Sequence, residues 1–173
     1  MDEYFVGQFE HSLDAKGRIV LPAAFRAAFE NSGFLIKGSE ACLALMTPSQ
    51  FGALAKEMSS RSKTGAAQQR AAKRSFGAGA ARILPDKQGR IAIPEELRQF
   101  AGLERECMII GSIDEVEIWD AHKWQQINEE GESVLESPDE YPVPANDSSV
   151  ANSSSATSSL GSPSGAGSGG GES

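Results

Sequence analysis

Asp14–Pro22, DAKGRIVLP, is written twice in this chain: Asp86–Pro94 reads DKQGRIAIP, 72 residues later. Asp, Gly, Arg, Ile and Pro fall at the same places, with Lys16 facing Gln88. The likeness continues from Leu21–Arg26, LPAAFR, onto Ile93–Arg98, IPEELR. Beyond that the offset becomes 73: Ile36–Met46, IKGSEACLALM, matches Ile109–Trp119, IIGSIDEVEIW, and Phe51 falls opposite Trp124. An internal repeat of this length means one structural unit built twice.

Each copy reads physically as strand, tight loop, strand, short helix, then hairpin. Asp and Gly at short spacing between β-rich runs form a hairpin-type turn signal. Gly17 and Gly89 are expected at the positive-φ position that a side chain resists. Asp14 and Asp86 are expected to accept hydrogen bonds from the turn backbone and to fix the loop. Pro22 and Pro94 end the strand and suit a first helical turn. The helices then carry Ala23 to Phe29 in one copy and Glu95 to Phe100 in the other, Glu95 and Glu96 suiting a helix N-terminus. The loop tips hold Lys16 and Arg18 in the first copy, and Lys87, Gln88 and Arg90 in the second.

Charge is unevenly distributed. Residues 1–128 contain all 16 Lys and Arg against 16 Asp and Glu, whereas residues 129–173 hold 8 acids and no base. The net charge of −8 therefore belongs to the C-terminal segment, and local charge on the rest sets what it can touch. The Met1 end lacks a basic region followed by an apolar one, which argues against a secretory signal. No apolar run approaches the ~20 residues of a membrane span. Cys42 and Cys107 lie in apolar strand patterns and read as buried free thiols. These features predict a soluble, cytoplasmic protein.

Taken in order, residues 1–13 supply a strand with Phe5 and Phe9 toward the core. Phe34–Ile36 and Cys42–Met46 pair around Gly38, Ser39 and Glu40. Pro48 and Ser49 open a helix through Phe51, Leu54 and Met58, with Thr47 as N-cap. Residues 59–81 join the copies with Arg61, Lys63, Arg70, Lys73 and Arg74 and no acid; a helix is expected from Ala66, ending near Gly77 and Gly79. That basic run is either a solvated helix face, a further phosphate-contacting face or a subunit contact. Asp120 is placed to cap a short closing helix through Trp124. Residues 129–173, acidic and then rich in Ser and Gly, have little to bury and are expected to be disordered.

Catalysis fits poorly. The two histidines, His11 and His122, read as structural or surface residues. There is no nucleophile elbow, phosphate-cradling glycine motif or metal-spaced Cys/His cluster. No enzyme activity, cofactor, metal site or small-molecule substrate is expected. A rigid hairpin carrying cations and repeated in one chain suits polyanions: Arg offers a planar fork for guanine edges or phosphates, and Lys a point charge.

The paired motifs, with the aligned LPAAFR and IPEELR, resemble the MraZ family of bacterial transcriptional regulators, which have two tandem AbrB-like (SpoVT-AbrB) domains. The likeness covers roughly residues 1–128. It implies a mixed fold of β strands with short α helices: a swapped-hairpin β-barrel made by intertwining two repeats, in ring-shaped homo-oligomers. The division expected is 5–52 and 81–124 as AbrB-like domains, 53–80 as a basic helical connector, and 129–173 as the disordered tail, to which the resemblance carries nothing over. The resemblance implies a nucleoid-associated repressor on double-stranded DNA, binding promoter direct repeats upstream of the division and cell wall gene cluster. Lys16 and Arg18 would make the main DNA contacts, with Lys87, Gln88 and Arg90 as second-repeat partners. Asp14, Gly17, Asp86 and Gly89 would shape the loops.

The competing reading is a protein-interaction or antitoxin-like module that uses the acidic tail. Residues 141–173 offer only Tyr141, Val143, Val150 and Leu160 as apolar anchors beyond alanine, which is thin for wrapping a partner.

Overall fold

A computed structural model describes residues 4–137. The first repeat contributes strands β1 (Phe5–Ser12), β2 (Arg18–Val20), β3 (Gly33–Lys37) and β4 (Leu43–Met46). Helices α1 (Pro48–Thr64) and α2 (Ala67–Gly79) follow. The second repeat contributes β5 (Ala81–Ile83), β6 (Arg90–Ala92), helix α3 (Glu95–Ala101), β7 (Glu106–Ile113), β8 (Val116–Asp120) and helix α4 (Ala121–Leu135).

The strands form a six-stranded sheet in the order β1-β7-β8-β4-β3-β5 and a separate pair, β2-β6, every pairing antiparallel. The order shows an exchange between repeats. β1 of the first repeat pairs with β7 of the second, and β5 of the second pairs with β3 of the first. Neither repeat keeps its own first strand. Ile19 faces Ile91 in the β2–β6 pair, and Ala44 faces Glu117 in the β4–β8 pair. These are the residues that the sequence repeat aligns at offsets of 72 and 73. A pseudo-twofold axis therefore passes through both pairs, with Leu43↔Ile118 and Leu45↔Val116 exchanged about it.

The core lies between the layers. Ile19, Ile91, Leu21, Ile93, Leu35, Leu43, Leu45, Ile109, Val116 and Ile118 are buried, each worth roughly 1.5–3 kcal/mol over an exposed position. Phe5 stacks on Phe29 at 5.6 Å and meets Phe25 edge-on at 5.5 Å, while Phe9 meets Phe25 edge-on at 5.3 Å. β1 comes so close to β7 that a Cβ on Gly111 would overlap the Phe5 carbonyl carbon and the Val6 nitrogen.

Helix caps follow the sequence signals. Thr47 Oγ1 accepts the Gln50 N–H at 3.3 Å, and Gln50 Oε1 accepts the Thr47 N–H at 2.8 Å, a complete capping box with Pro48 in the first turn. Asp120 Oδ1 accepts the N–H groups of His122 and Lys123 at 3.1 and 3.2 Å. A second, smaller cluster of Cys42, Ile110 and Trp119 receives Trp124 and Ile127 of α4.

Two expectations need correction. The first repeat's helix is only a 3-10 turn, Arg26–Phe29. It lacks the acids that Glu95 and Glu96 supply to α3, and ends at Glu30 where α3 has a left-handed Gly102. The supposed tail from residue 129 is helical as far as Leu135. Asn128 Nδ2 donates to Glu132 Oε1 at 2.8 Å along α4, and residues 129–136 are exposed all round. Residues 138–173 of that expectation lie outside the described residues. As expected, α1 opens at Pro48, and it runs unbroken across residue 53 to Thr64.

Candidate nucleic-acid interface

The two repeated loops have one geometry. Asp14 Oδ1 accepts the backbone N–H groups of Lys16 and Arg18, both at 2.9 Å, and Oδ2 accepts Arg18 Nε–H at 2.8 Å. Asp86 does the same for Gln88 N–H at 2.9 Å, Arg90 N–H at 3.0 Å and Arg90 Nε–H at 2.7 Å. The turn is closed by Gly17 N–H to the Asp14 carbonyl at 2.9 Å and Gly89 N–H to the Asp86 carbonyl at 2.8 Å. Gly17 and Gly89 have φ of +70° and +76°, the left-handed region that a Cβ disfavours. Backbone N–H donation, with the Arg18 guanidinium adding to it, holds the Asp14 carboxyl below its ordinary range. Asp86 is held down in the same way by the backbone and guanidinium of Arg90.

Strand register decides where the arginines point. Ile19 and Ile91 are fully buried on the inner face of the β2–β6 ladder. By alternation, Arg18, Val20, Arg90 and Ala92 stand on the outer face. Arg18 lies opposite Ala92, and Arg90 opposite Val20, so the two Cα atoms are roughly 8 Å apart across the ladder. Each Nε–H is committed to its aspartate, which leaves the four Nη–H donors as the free edge of each fork. Lys16, Lys87 and Gln88 are exposed on the tips beside them.

The loops are also joined to each other. Ile93 N–H donates to the Gly17 carbonyl at 2.9 Å, and Leu21 N–H to the Gly89 carbonyl at 2.8 Å. An arginine from the opposite repeat backs each glycine. A Cβ on Gly17 would stand 2.7 Å from Arg98 Cζ, and one on Gly89 would stand 2.6 Å from Arg26 Nε. Arg26 Nε–H donates to the Leu21 carbonyl at 2.9 Å, whereas the buried Arg98 Nε has no acceptor among the described residues. The sequence reading placed Arg26 and Arg98 on helices and assigned them nothing. Their identity at aligned positions was the available signal.

Another concavity is a groove of about 650 Å³ between β1, β7 and α4, lined by His11, Cys107, His122 and Trp124 among others. Burial, and secondarily Arg26, pushes the His11 imidazole toward its neutral form. Burial pushes the Cys107 thiol up to about 11. A neutral imidazole beside a protonated thiol is no activated nucleophile. Among the described residues no group of three His, Cys, Asp or Glu is placed to hold a metal ion, and no helix is long and apolar enough to cross a membrane.

Residues 4–75 and 76–141 each match a family model described as "MraZ protein, putative antitoxin-like". Three relatives named "Transcriptional regulator MraZ" show the extent of the likeness. That of Kocuria rhizophila is 41% identical over 140 residues, covering 81% of this chain and 97% of its own. That of Acetivibrio thermocellus is 40% identical over 136 residues, covering 76% and 94%. That of Thermomicrobium roseum is 42% identical over 120 residues, covering 69% and 84%.

Proposed function

The chain belongs to the MraZ family, and from that premise we propose that it is a DNA-binding transcriptional regulator that reads operator DNA with its two repeated loops. The observation that carries this reading is the pair of arginine forks held on one face of the β2–β6 ladder. A two-stranded ribbon fits the ~12 Å major groove, and an arginine fork matches guanine O6 and N7 or a phosphate. Arg18 and Arg90 make the central contacts; Lys16, Lys87 and Gln88 flank them. The difference between Lys16 and Gln88 makes the loops unequal readers of the two half-contacts.

On the same reading the sheets close into a barrel-like body, and copies assemble into a ring with the loops on one rim. The ring takes direct repeats upstream of the division and cell wall gene cluster and represses those genes. Repeats about one helical turn apart present the same face of the duplex to successive subunits. Weak contact at each loop then gains by multivalency. The test is Arg18→Ala, measured by fluorescence anisotropy on a duplex from the region upstream of the chain's own gene at ~150 mM salt. Binding should be lost while the oligomeric mass by light scattering stays the same. Unchanged affinity would sink the proposal.

A further inference from the structure

The helical hairpin between the repeats carries a cationic face that the loops do not use. From Met58 to Pro94 the chain has eight Lys and Arg and one acid, Asp86, which leaves eight bases against fifteen acids in the rest of the first 128 residues. The charge is segregated, and α2 is where it is most concentrated. Arg70, Lys73 and Arg74 stand at i, i+3 and i+4, so they share one face of that helix, and all three are exposed. Among the described residues none of the three pairs with a carboxylate; Arg61 on α1 does, with Glu57. Arg70 Nη1–H donates to the Gly65 carbonyl at 3.0 Å, which positions the guanidinium and leaves its other donors open.

A helix face kept only for solubility usually mixes the two signs, because like charges four apart repel. Here Arg70 and Arg74 are four apart with no acid on the helix. α2 buries no residue fully and is held by Phe76, which stacks on Phe51 at 5.7 Å; Phe51 in turn stacks on Phe34 at 4.1 Å. Phe76 lies roughly 110° round the helix from the middle of the cationic arc, so the stack holds the arginines outward. The only large apolar side chain of α2 is thereby occupied, and no apolar face is left to enter a lipid surface. Arg74 is joined to Lys87 by one turn of helix and the short β5 segment, so it lies no more than roughly 35 Å from the second loop, about one turn of duplex. Arg82, exposed on β5, lies between them.

We propose that Arg70, Lys73 and Arg74 form a second DNA contact, to backbone phosphates beside the loop-bound site, which adds affinity without sequence preference. The inference rests on the DNA-binding reading above but concerns a different surface. The test uses the full chain with Arg70→Ala, Lys73→Ala and Arg74→Ala combined. Affinity is measured across a salt series for the upstream duplex and for a random duplex of equal length. The slope of log affinity against log salt should shrink by about 2 to 3, and both affinities should fall together so that their ratio holds. A companion variant, Arg70→Lys with Arg74→Lys, should keep the slope, which separates charge from helix loss.

An unchanged slope overturns the proposal. So does a changed oligomeric mass without a changed slope, which would make the face a subunit contact. Arg18→Ala with Arg90→Ala should instead collapse the ratio between the two duplexes. If that ratio survives, the loop reading fails, and the random duplex still reports on α2.

Discussion

The Gly17 carbonyl accepts the Ile93 N–H at 2.9 Å, which ties the loop of the first repeat to the strand leaving the loop of the second. Leu21 and Gly89 repeat the bond at 2.8 Å about the Ile19–Ile91 axis. The two cationic tips are thus parts of one rigid element, and a shift in either is transmitted to the other. If the loops contact DNA as proposed, the spacing between the forks is set before any duplex arrives, so less ordering entropy is lost on binding.

Gly17→Ala should destabilise the fold by about 1–2 kcal/mol, the cost of a side chain in left-handed backbone. The Arg98 guanidinium against Gly17 sits at the end of a flexible side chain and can move, so the overlap itself adds little. Gly89→Ala should behave alike against Arg26. Because the loops are bonded to each other, the double variant should depart from additivity by more than about 0.5 kcal/mol in chemical denaturation. Strict additivity would mean independent loops.

Much of this element was legible in the sequence, and the reasons are specific. Asp, Gly and Arg recurring at one spacing can be read as a turn, and the offsets of 72 and 73 name the residues that meet on the twofold axis. Thr47 just before Pro48 announces the cap of α1 by residue type, although the answering Gln50 was not read. Strand partners are a different matter: alternation marks β1 as a strand but says nothing about β7 as its neighbour. The acids of α4 were misread because a charge run looks alike on a solvated helix and in a tail. Arg26 and Arg98 were overlooked because their role, lying on a glycine of the other repeat, exists only once the strands have crossed.

Gly111→Ala should separate β1 from β7. Its Cβ would run into the backbone of Phe5 and Val6, which cannot swing aside as a side chain can. A cost of about 1–3 kcal/mol is expected, in the range of other overpacked sites. Faster hydrogen exchange confined to β1 and β7 would locate the damage there. An unaffected melting temperature would contradict the close approach.

The loop carboxylates give a pH prediction with a definite sign. Their folded pKa lies below the unfolded value of about 3.9, so their stabilisation is fully present above that value. It is lost only as pH falls through the lower, folded value. Carboxyl NMR titration should therefore show Asp14 and Asp86 still mostly ionised at about pH 3.9, where an unfolded aspartate is half protonated. Asp14→Asn should release Arg18 at every pH and weaken operator binding by about tenfold, the scale of one lost charge-assisted contact.

Burial pushes the Cys42 thiol up to about 12, with Glu117 and Glu115 adding to it, and the Cys107 thiol up to about 11. Both are free and buried. At pH 8 the folded chain should react with iodoacetamide at least about a hundredfold more slowly than the chain in denaturant, because the thiolate is the nucleophile. Equal rates would mean that one strand bearing a cysteine opens readily.

The strand exchange makes the strongest claim about folding. A chain divided between Gly65 and Ala66, in the link joining α1 to α2, leaves β1 without β7 and β3 without β5. Each fragment then carries an unpaired first strand and half of the β2–β6 ladder, including one isoleucine of the buried 19–91 pair. Neither fragment should hold a monomeric fold. Mixing them should restore the circular dichroism of the whole chain, with a melting temperature that rises with concentration, because association now replaces the covalent link. If a fragment also pairs with itself, its first strand can take the place of the missing one only in a swapped homodimer, and its melt will likewise depend on concentration. A single fragment with a concentration-independent melt would show that a repeat can satisfy its own first strand, against the pairing of β1 with β7.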